Sequence, residues 1–405
     1  MNRVERHIVI QSKQLENACH LSKNLYNYVN YLLRQHFIET GLLLSEYKLT
    51  GQLAKEKQVD YIALPAQVSQ QIIKLIFKNW KSFFKANKEY KKNPKKFKGR
   101  PRLPKYKDKD GLNIVIFTNQ CSRIKNSEVH FAKELISPVK TNVQSHQQVR
   151  IIPKATCFVI EIVYEKEIKN YDLNKENFLS IDLGLTNLVA TFNNVGEQPF
   201  IINGRIVKSI NQYFNKKKAK LMSYIGDKGT SNRIRKLSLK RDNKIQNYLH
   251  HTSKFIITYC IERSIGKIII GNNKDWKQYI NLGKKTNQSF VSIPFSKLVQ
   301  QLQYKAEEAG IEVILTEESY TSKIDHLANE IMEHKENYLG KRVKRGLFQS
   351  STKKLINADV NGAIGIARKV ISNSPISGIT NRGLGFNPVK VCLNTHFNKN
   401  LHKLA

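Results

Sequence analysis

The 405-residue sequence predicts an α+β module followed by an α/β module. Two observations carry that expectation. Short strands fill residues 113–164, most clearly ATCFVIEIVY at 155–164, where Phe158, Ile160 and Ile162 alternate with Val159, Glu161 and Val163. After the polar stretch EKEIKNYDLNKEN (165–177), three short strands lead into helices and strands in alternation. The polar stretch is the expected domain boundary.

Taken in order, ERHIVIQ (5–11) reads as a strand, and Leu21, Leu25, Val29, Leu32 and Leu33 then recur at helical spacing. A second helix is expected from Ala66 to about Phe84, ending in Trp80, Phe83 and Phe84. Beside it lies the most basic stretch, residues 81–109, with 13 Lys or Arg against Glu89 and Asp108. FKGRPRLPKYK (97–107) mixes Gly, Pro, aromatic rings and cations, which predicts an extended loop. Such a segment suits a nucleic-acid backbone and unstacked bases, with Lys95, Lys96, Lys98, Arg100, Arg102, Lys105 and Lys107 as the contacts.

Beyond the boundary, FLSIDLG (178–184), NLVATFN (187–193) and PFIING (199–204) read as three strands. A long basic helical stretch follows, from about Arg205 to Arg263. Then come the strand KIIIG (267–271), a helix over 294–309, the strand IEVILTE (311–317) and a last helix opening near Asp359. A three-strand meander followed by helix, strand, helix, strand, helix is the order of the RNase H fold.

Composition narrows the function. Lys and Arg number 68 against 32 Asp and Glu, a formal net charge of +36, and a charge that large needs a polyanion. No lipidation signal or basic amphipathic anchor favours a membrane surface. No apolar run reaches the roughly 18 residues of a membrane span, so a soluble, cytoplasmic protein without a membrane partner is expected. Cys19, Cys121, Cys157, Cys260 and Cys392 are far apart and form no CxxC pair, so no structural zinc is expected. Residues 205–244 hold 13 Lys or Arg, Arg241 among them, against Asp227 and Asp242, which favours a groove for nucleic acid.

Cleavage of a phosphodiester by two metal ions needs carboxylates that converge from separate elements. Asp182 follows the apolar run Phe178–Ile181, at the end of the first strand; a turn aspartate is the alternative. Asp359 opens the helical pattern of Val360, Ile364, Ile366 and Ala367, where an N-cap is the alternative. In an RNase H topology the first strand and the final helix lie side by side, so the two acids would face each other.

With these strings in view, the chain resembles the TnpB family. IDLGLTNLVATF resembles its first RuvC motif, NADVNGAIGIARK its third, KGRPRLPKYK its basic N-terminal segment, and KRDNKIQNYLHHTSKFI (240–256) its helical insert. The resemblance implies a β-barrel-like wedge (1–20 and 100–168), a helical recognition insert (21–99) and a RuvC nuclease domain (177–375). That domain would carry the basic insert 205–263 and a degenerate ribbon region 321–355, with a tail at 376–405. It also implies a guide RNA from the transposon end, double-stranded target DNA with a short flanking motif, two Mg²⁺ ions that Mn²⁺ can replace, and kinship with type V CRISPR effectors.

Two departures stand out. Where the family pattern has a metal-binding glutamate, KIIIGNNKDWKQ has Gly271, which cannot ligate a metal. VILTEESYTSK, on the next strand, offers Glu317 and Glu318, and adjacent strands about 4.8 Å apart let a Glu bridge the gap. Alternation lets only one of the two point inward; Asp275 and Asp325 are weaker candidates. The four-cysteine ribbon is also missing, since residues 321–355 hold no cysteine. His326 and His334 could recruit a metal only with Glu330 or Glu333, and a solvated loop is the simpler reading. YLGKRVKRGLFQSSTKK (338–354) instead offers Arg342 and Arg345 to phosphates. The expected function is an RNA-guided DNA endonuclease; its rivals are a nuclease-dead RNA-guided repressor and an RNA-independent transposase.

Overall fold

A computed structural model describes residues 1–10, 12–226, 229–272, 293–371 and 387–393. The chain divides into two compact units, Met1–Lys166 and Glu167–Ala405.

In the first unit, β1 (Asn2–Val9) pairs antiparallel along its length with β7 (Phe158–Glu165). With β6 (Gln148–Pro153) and β2 (Val115–Thr118) they form a sheet in the order β1-β7-β6-β2. A separate hairpin-like sheet joins β3 (Ser122–Lys125), β4 (Glu128–Phe131) and β5 (Val139–Lys140). Four helices lie between β1 and β2: α1 (Lys13–Thr40), α2 (Glu46–Lys55), α3 (Val59–Ile62) and α4 (Ala66–Lys92). Ser12 caps α1 by accepting from the Leu15 amide, and Gly41, at φ 72°, ends it with its N–H on the Phe37 carbonyl. Leu25, Val29 and Leu33 of α1 and Ile72, Ile76 and Trp80 of α4 share one buried core. The Trp80 indole N–H donates to Asn30 Oδ1 at 3.1 Å, so the polar tip of the largest buried side chain is satisfied. Helix α4 outruns the expected end at Phe84 by two turns. Its lysine-rich extension remains helical until Asn93 and Pro94, where proline removes the next amide donor and restricts the residue before it.

The second unit is built on a six-stranded sheet in the order β12-β11-β8-β9-β10-β16. The expected meander is β8 (Asn174–Asp182), β9 (Asn187–Asn193) and β10 (Phe200–Asn203), paired antiparallel. Strand β11 (Ile265–Gly271) then runs parallel to β8, and β12 (Glu312–Thr316) parallel to β11. The sixth strand, β16 (Val389–Val391), comes from the segment read as a tail and pairs parallel with β10; of that segment only residues 387–393 are described. The basic stretch 205–263 is two helices, α5 (Arg205–Ile225) and α6 (Asn232–Glu262). Gly226 and Gly229 take positive φ between them, and the Ser231 hydroxyl caps α6, so local turn chemistry overrides the continuous helical pattern.

Alternation along β8 decides what each face carries. Leu179 and Ile181 join a core with Ile256 and Cys260 of α6 and with Leu298 and Leu302 of α7 (Phe295–Glu308). Phe178 faces the other way, into a core with Val360, Ala363 and Ile364 of α8 (Ala358–Val370). Ser180, on the same side as Phe178, donates to the Ala363 carbonyl at 2.8 Å. By the same period of two, Asp182 lands on the α8 face of the sheet.

Candidate functional site

Three acids meet at the end of β8, β11 and β12. Asp182 Oδ2 lies over α8 at Gly362, where a Cβ would come within 2.8 Å of it. Asp359 sits one turn earlier on the same helix. It is not the N-cap: Asn357 accepts from the amides of Asp359 and Val360, leaving the Asp359 carboxylate to take the Asn187 side-chain amide at 2.7 Å. Asn187 opens β9, so the first and last motifs are joined by a direct hydrogen bond. Sequence reasoning assigned Asn187 no role, although it lies inside the IDLGLTN string.

Of the paired glutamates, the structure brings only Glu318 to this end of the sheet. Strand β12 ends at Thr316, which pairs with Gly271 of β11. Glu317 is exposed and accepts the Ser319 hydroxyl. Glu318 turns inward over Gly271: a Cβ there would stand 2.7 Å from Glu318 Cγ and 2.6 Å from Ile366 Cδ1. The Thr321 amide and hydroxyl both donate to the Glu318 carbonyl and hold this turn. The residue that removes a carboxylate from β11 is therefore the one that makes room for a carboxylate from the segment after β12.

The electrostatics agree with that grouping. Burial, then the like charges of Glu318 and Asp359, push the Asp182 carboxyl well above the usual range; Arg342 and the Leu183 amide act in the opposite sense. Burial raises Glu318 to about 7, opposed by Lys369. A carboxyl raised on folding holds its proton in the folded state at pH values where the unfolded chain has lost it, so stability falls as pH rises from 4.5 through about 7. In EDTA, Glu318→Gln is expected to gain on wild type across that interval, by on the order of 2 kcal/mol in urea denaturation. A difference that does not change with pH would mean that Glu318 is solvated.

The cluster fits a cation in charge and chemistry: three hard oxygen donors repel one another beside one nearby guanidinium. Gly271 and Gly362 carry no side chain where two of them lie. Among the described residues no three His, Cys, Asp or Glu side chains stand at ligand spacing.

Arg342, on β13 (Lys341–Lys344), is the cation that acts on Asp182, and Arg345 reaches Thr186 Oγ1 at 3.4 Å. Strand β13 belongs to a small sheet with β14 (Leu347–Gln349) and β15 (Leu355–Asn357), none of which was expected from sequence. The other metal candidates of this region are committed to holding it together. Asp325 Oδ2 accepts from the Ser350 hydroxyl (2.8 Å), the Ser351 amide (2.7 Å) and the Ser351 hydroxyl (2.9 Å). Buried His326 donates from Nε2 to the Thr321 carbonyl (2.8 Å) and accepts at Nδ1 from Arg368 (3.0 Å), while burial pushes it down to about 4, so it stays neutral. Glu330 accepts the Asp325 amide at 2.8 Å and pairs with Lys335 at 3.5 Å. His334 is exposed, edge-on to Tyr320, and Glu333 pairs with Lys335. The expected solvated loop is thus a hydrogen-bonded knot. Asp325→Ala strands the three donors on Oδ2 and the Ala328 amide, which donates to Oδ1 at 3.3 Å, and is expected to cost about 3 kcal/mol, measured by the shift in urea midpoint. Asp275 lies outside the described residues.

In the first unit, the basic segment is extended and laid along α1. Lys23 donates to the Lys109 carbonyl (2.7 Å), Asn27 to that of Lys107 (2.9 Å), and Asn30 and Arg34 to that of Pro104 (both 3.1 Å). Residues 23, 27, 30 and 34 share one helix face, so a single stripe fixes the main chain of the loop. Lys95, Lys96, Lys98, Arg100, Arg102, Lys105 and Lys107 are all exposed. Lys96 pairs with Glu89 at 3.1 Å, and Lys107 lies over the Tyr26 ring. Arg241 is part-buried on α6, with Nε on Asn211 at 2.8 Å. No described helix is long and apolar enough to cross a membrane.

Fold and site together define a mixed α/β protein with an acidic centre at one end of its main sheet. A family model described as OrfB_IS605, probable transposase, matches residues 161–277, and a model of the Cas12f1-like TNB domain matches residues 295–366. A TnpB-like protein of Methanocaldococcus jannaschii is 27% identical over 164 residues, 37% of this chain and 56% of that protein. The aligned part therefore spans little more than half of that relative. Among solved structures, a Cas12f1–sgRNA–target DNA complex is 14% identical and covers 92% of this chain and 100% of that one, with a TM-score of 0.39. The mini-RNA-guided endonuclease CRISPR-Cas phi3 is 11% identical over 91% of this chain and 92% of that one, with a TM-score of 0.47. The chain is thus similar, over parts of its second unit, to OrfB_IS605 transposases and to the Cas12f1-like TNB domain, and over about a third of its length to a TnpB-like protein.

Proposed function

We propose that the protein is a transposon-encoded, RNA-guided DNA endonuclease whose second unit is an RNase H-like (RuvC) nuclease domain. The observation that carries this reading is the convergence of Asp182, Glu318 and Asp359, from β8, the turn after β12, and α8, at one end of one sheet. In this reading Asp182, Glu318 and Asp359 hold Mg²⁺, which Mn²⁺ can replace. When bound, two such ions activate water and stabilise the charge that develops on the phosphate. The chain's own groups do the rest. Asn187 keeps Asp359 aimed inward, and the hydrogen bonds of Thr321 fix the backbone that carries Glu318. Arg342 and Arg345 approach the same end of the sheet, suited to steering a phosphate towards the acids.

The wedge-like β module and its helical insert, with the basic segment on α1, grip guide RNA and the flanking motif of the target duplex in the bacterial cytoplasm. Bases are read through pairing with the RNA, while lysine and arginine hold the backbones. A nuclease-dead repressor was the rival that Gly271 suggested, and the placement of Glu318 over Gly271 weighs against it.

The test is cleavage of a plasmid library with a fixed target and a randomised flank, by protein copurified with RNA from its own transposon end, in Mg²⁺. Wild type is expected to cut next to one short motif. Asp182→Ala and Asp359→Ala are each expected to abolish cutting while RNA and target binding persist. Binding without cutting, in Mg²⁺ or Mn²⁺, would mean a repressor, and cutting by RNA-free protein would mean a transposase.

A further inference from the structure

The sheet end that carries the acids also launches the basic helical pair. Strand β10 ends at Asn203, which pairs with Asn187, the residue that holds Asp359. Helix α5 starts two residues later, and α6 is tied back to the same point by the Tyr248 hydroxyl on the Asn203 carbonyl.

Between α5 and α6 lies a cleft of about 260 Å³. Ile210, Phe214 and Leu237 form its apolar wall, Tyr213 stands at its mouth, and Lys240 and Lys244 flank it. The Tyr213 ring is 59% exposed, unusual for so large a ring beside a cleft it could fill, and Lys217 Nζ lies 5.9 Å from its centroid. Arg241 is fixed at the cleft: its guanidinium lies 5.3 Å from the Phe214 centroid, Nε donates to Asn211 at 2.8 Å, and one terminal nitrogen donates to Asp242 at 2.9 Å.

An apolar slot with an exposed ring at its mouth and ammonium groups around it is complementary to a nucleotide: the base stacks on the ring and the phosphate meets the cations. An acidic peptide would satisfy the charges but leave Ile210, Phe214 and Leu237 without an apolar partner. From Arg205 to Tyr213 is eight residues of helix, roughly 12 Å at 1.5 Å per residue, about three base steps along a stacked strand. Helix α5 starts beside Asn203, whose partner Asn187 holds Asp359, so a strand lying along α5 leads from the cleft to the sheet end that carries the acids. We infer that the α5–α6 cleft holds an unpaired base of the DNA single strand as that strand approaches Asp182, Glu318 and Asp359. This rests on the nuclease reading and adds a base-holding site to it.

The test uses the full chain and single-stranded DNA carrying one 2-aminopurine, moved position by position, with RNA of the same sequence as control. Wild type is expected to quench the fluorescence of bound DNA at one position. Tyr213→Ala is expected to lose that quenching and to weaken DNA binding about 5- to 30-fold, while Tyr213→Phe keeps both. Tyr213 is largely exposed, so neither change threatens folding. Equal quenching in Tyr213→Ala, quenching at no position, or the same Tyr213-dependent response to RNA would each overturn the proposal. Cleavage read in parallel separates the two claims: quenching without cutting leaves the cleft standing and the nuclease reading in error, and cutting with Tyr213-independent quenching does the reverse.

Discussion

Glu318→Gln is expected to lower DNA cleavage by more than about 100-fold, while Glu317→Gln leaves it within about twofold of wild type. Loss of a group that only orients a metal ligand typically costs about 10- to 100-fold, and loss of the ligand itself costs more. The two residues are neighbours with the same chemistry, so only their direction separates them. Strand β12 ends at Thr316, and the turn held by Thr321 sends Glu318 over Gly271 while Glu317 stays in solvent with Ser319. The glutamine keeps the shape of the side chain and removes the charge, so an inactive variant whose urea midpoint is no lower than that of wild type identifies a carboxylate needed for chemistry. Equal activity in both variants would mean that Asp182 and Asp359 work without a third acid.

Gly271→Ala is expected to lower cleavage about tenfold or more and stability by about 1–3 kcal/mol, the usual cost of overpacking a filled site. A methyl group at this position would meet Glu318 Cγ at 2.7 Å and Ile366 Cδ1 at 2.6 Å. Ile366 belongs to α8, which also bears Asp359, so one methyl group disturbs two of the three elements that carry the acids. The exchange Gly271→Glu with Glu318→Gly returns the carboxylate from the other strand and is expected to recover part of the activity that Gly271→Glu alone loses. No recovery would show that the backbone after β12 is needed for more than its glutamate. Cleavage rates and urea midpoints, measured side by side, check both statements.

Much of this was legible in the chain. Alternation in 155–164 and 178–193 gave strands that the structure contains, because a half-buried strand writes its burial directly into a period of two. The meander followed by helices and strands was readable for the same reason, and Asp182 and Asp359 were legible as acids at element ends. Elements without that period were not: α2 and α3 are short, and β13 to β15 are small strands in a lysine-rich segment with little apolar signal. The break between α5 and α6 was signalled by Gly226 and Gly229 but masked by the regular basic pattern on either side.

By itself the sequence determined the likeness to TnpB proteins, the excess of positive charge, the succession along the chain of the first five strands of the main sheet and the placing of two acids at element ends, all properties carried by residue type and local spacing. Tertiary structure alone decided that Glu318 and not Glu317 faces the acids, that Asn357 caps α8 and so leaves Asp359 available, and that Asp325, His326 and Glu330 are spent on a structural knot. The physical reason is common to all three. A side chain's role depends on which partners claim its lone pairs and protons, and the deciding ones here, Gly271 under Glu318, Asn187 on Asp359, Ser350 and Ser351 on Asp325 and Arg368 on His326, lie far along the chain, so no local pattern records them.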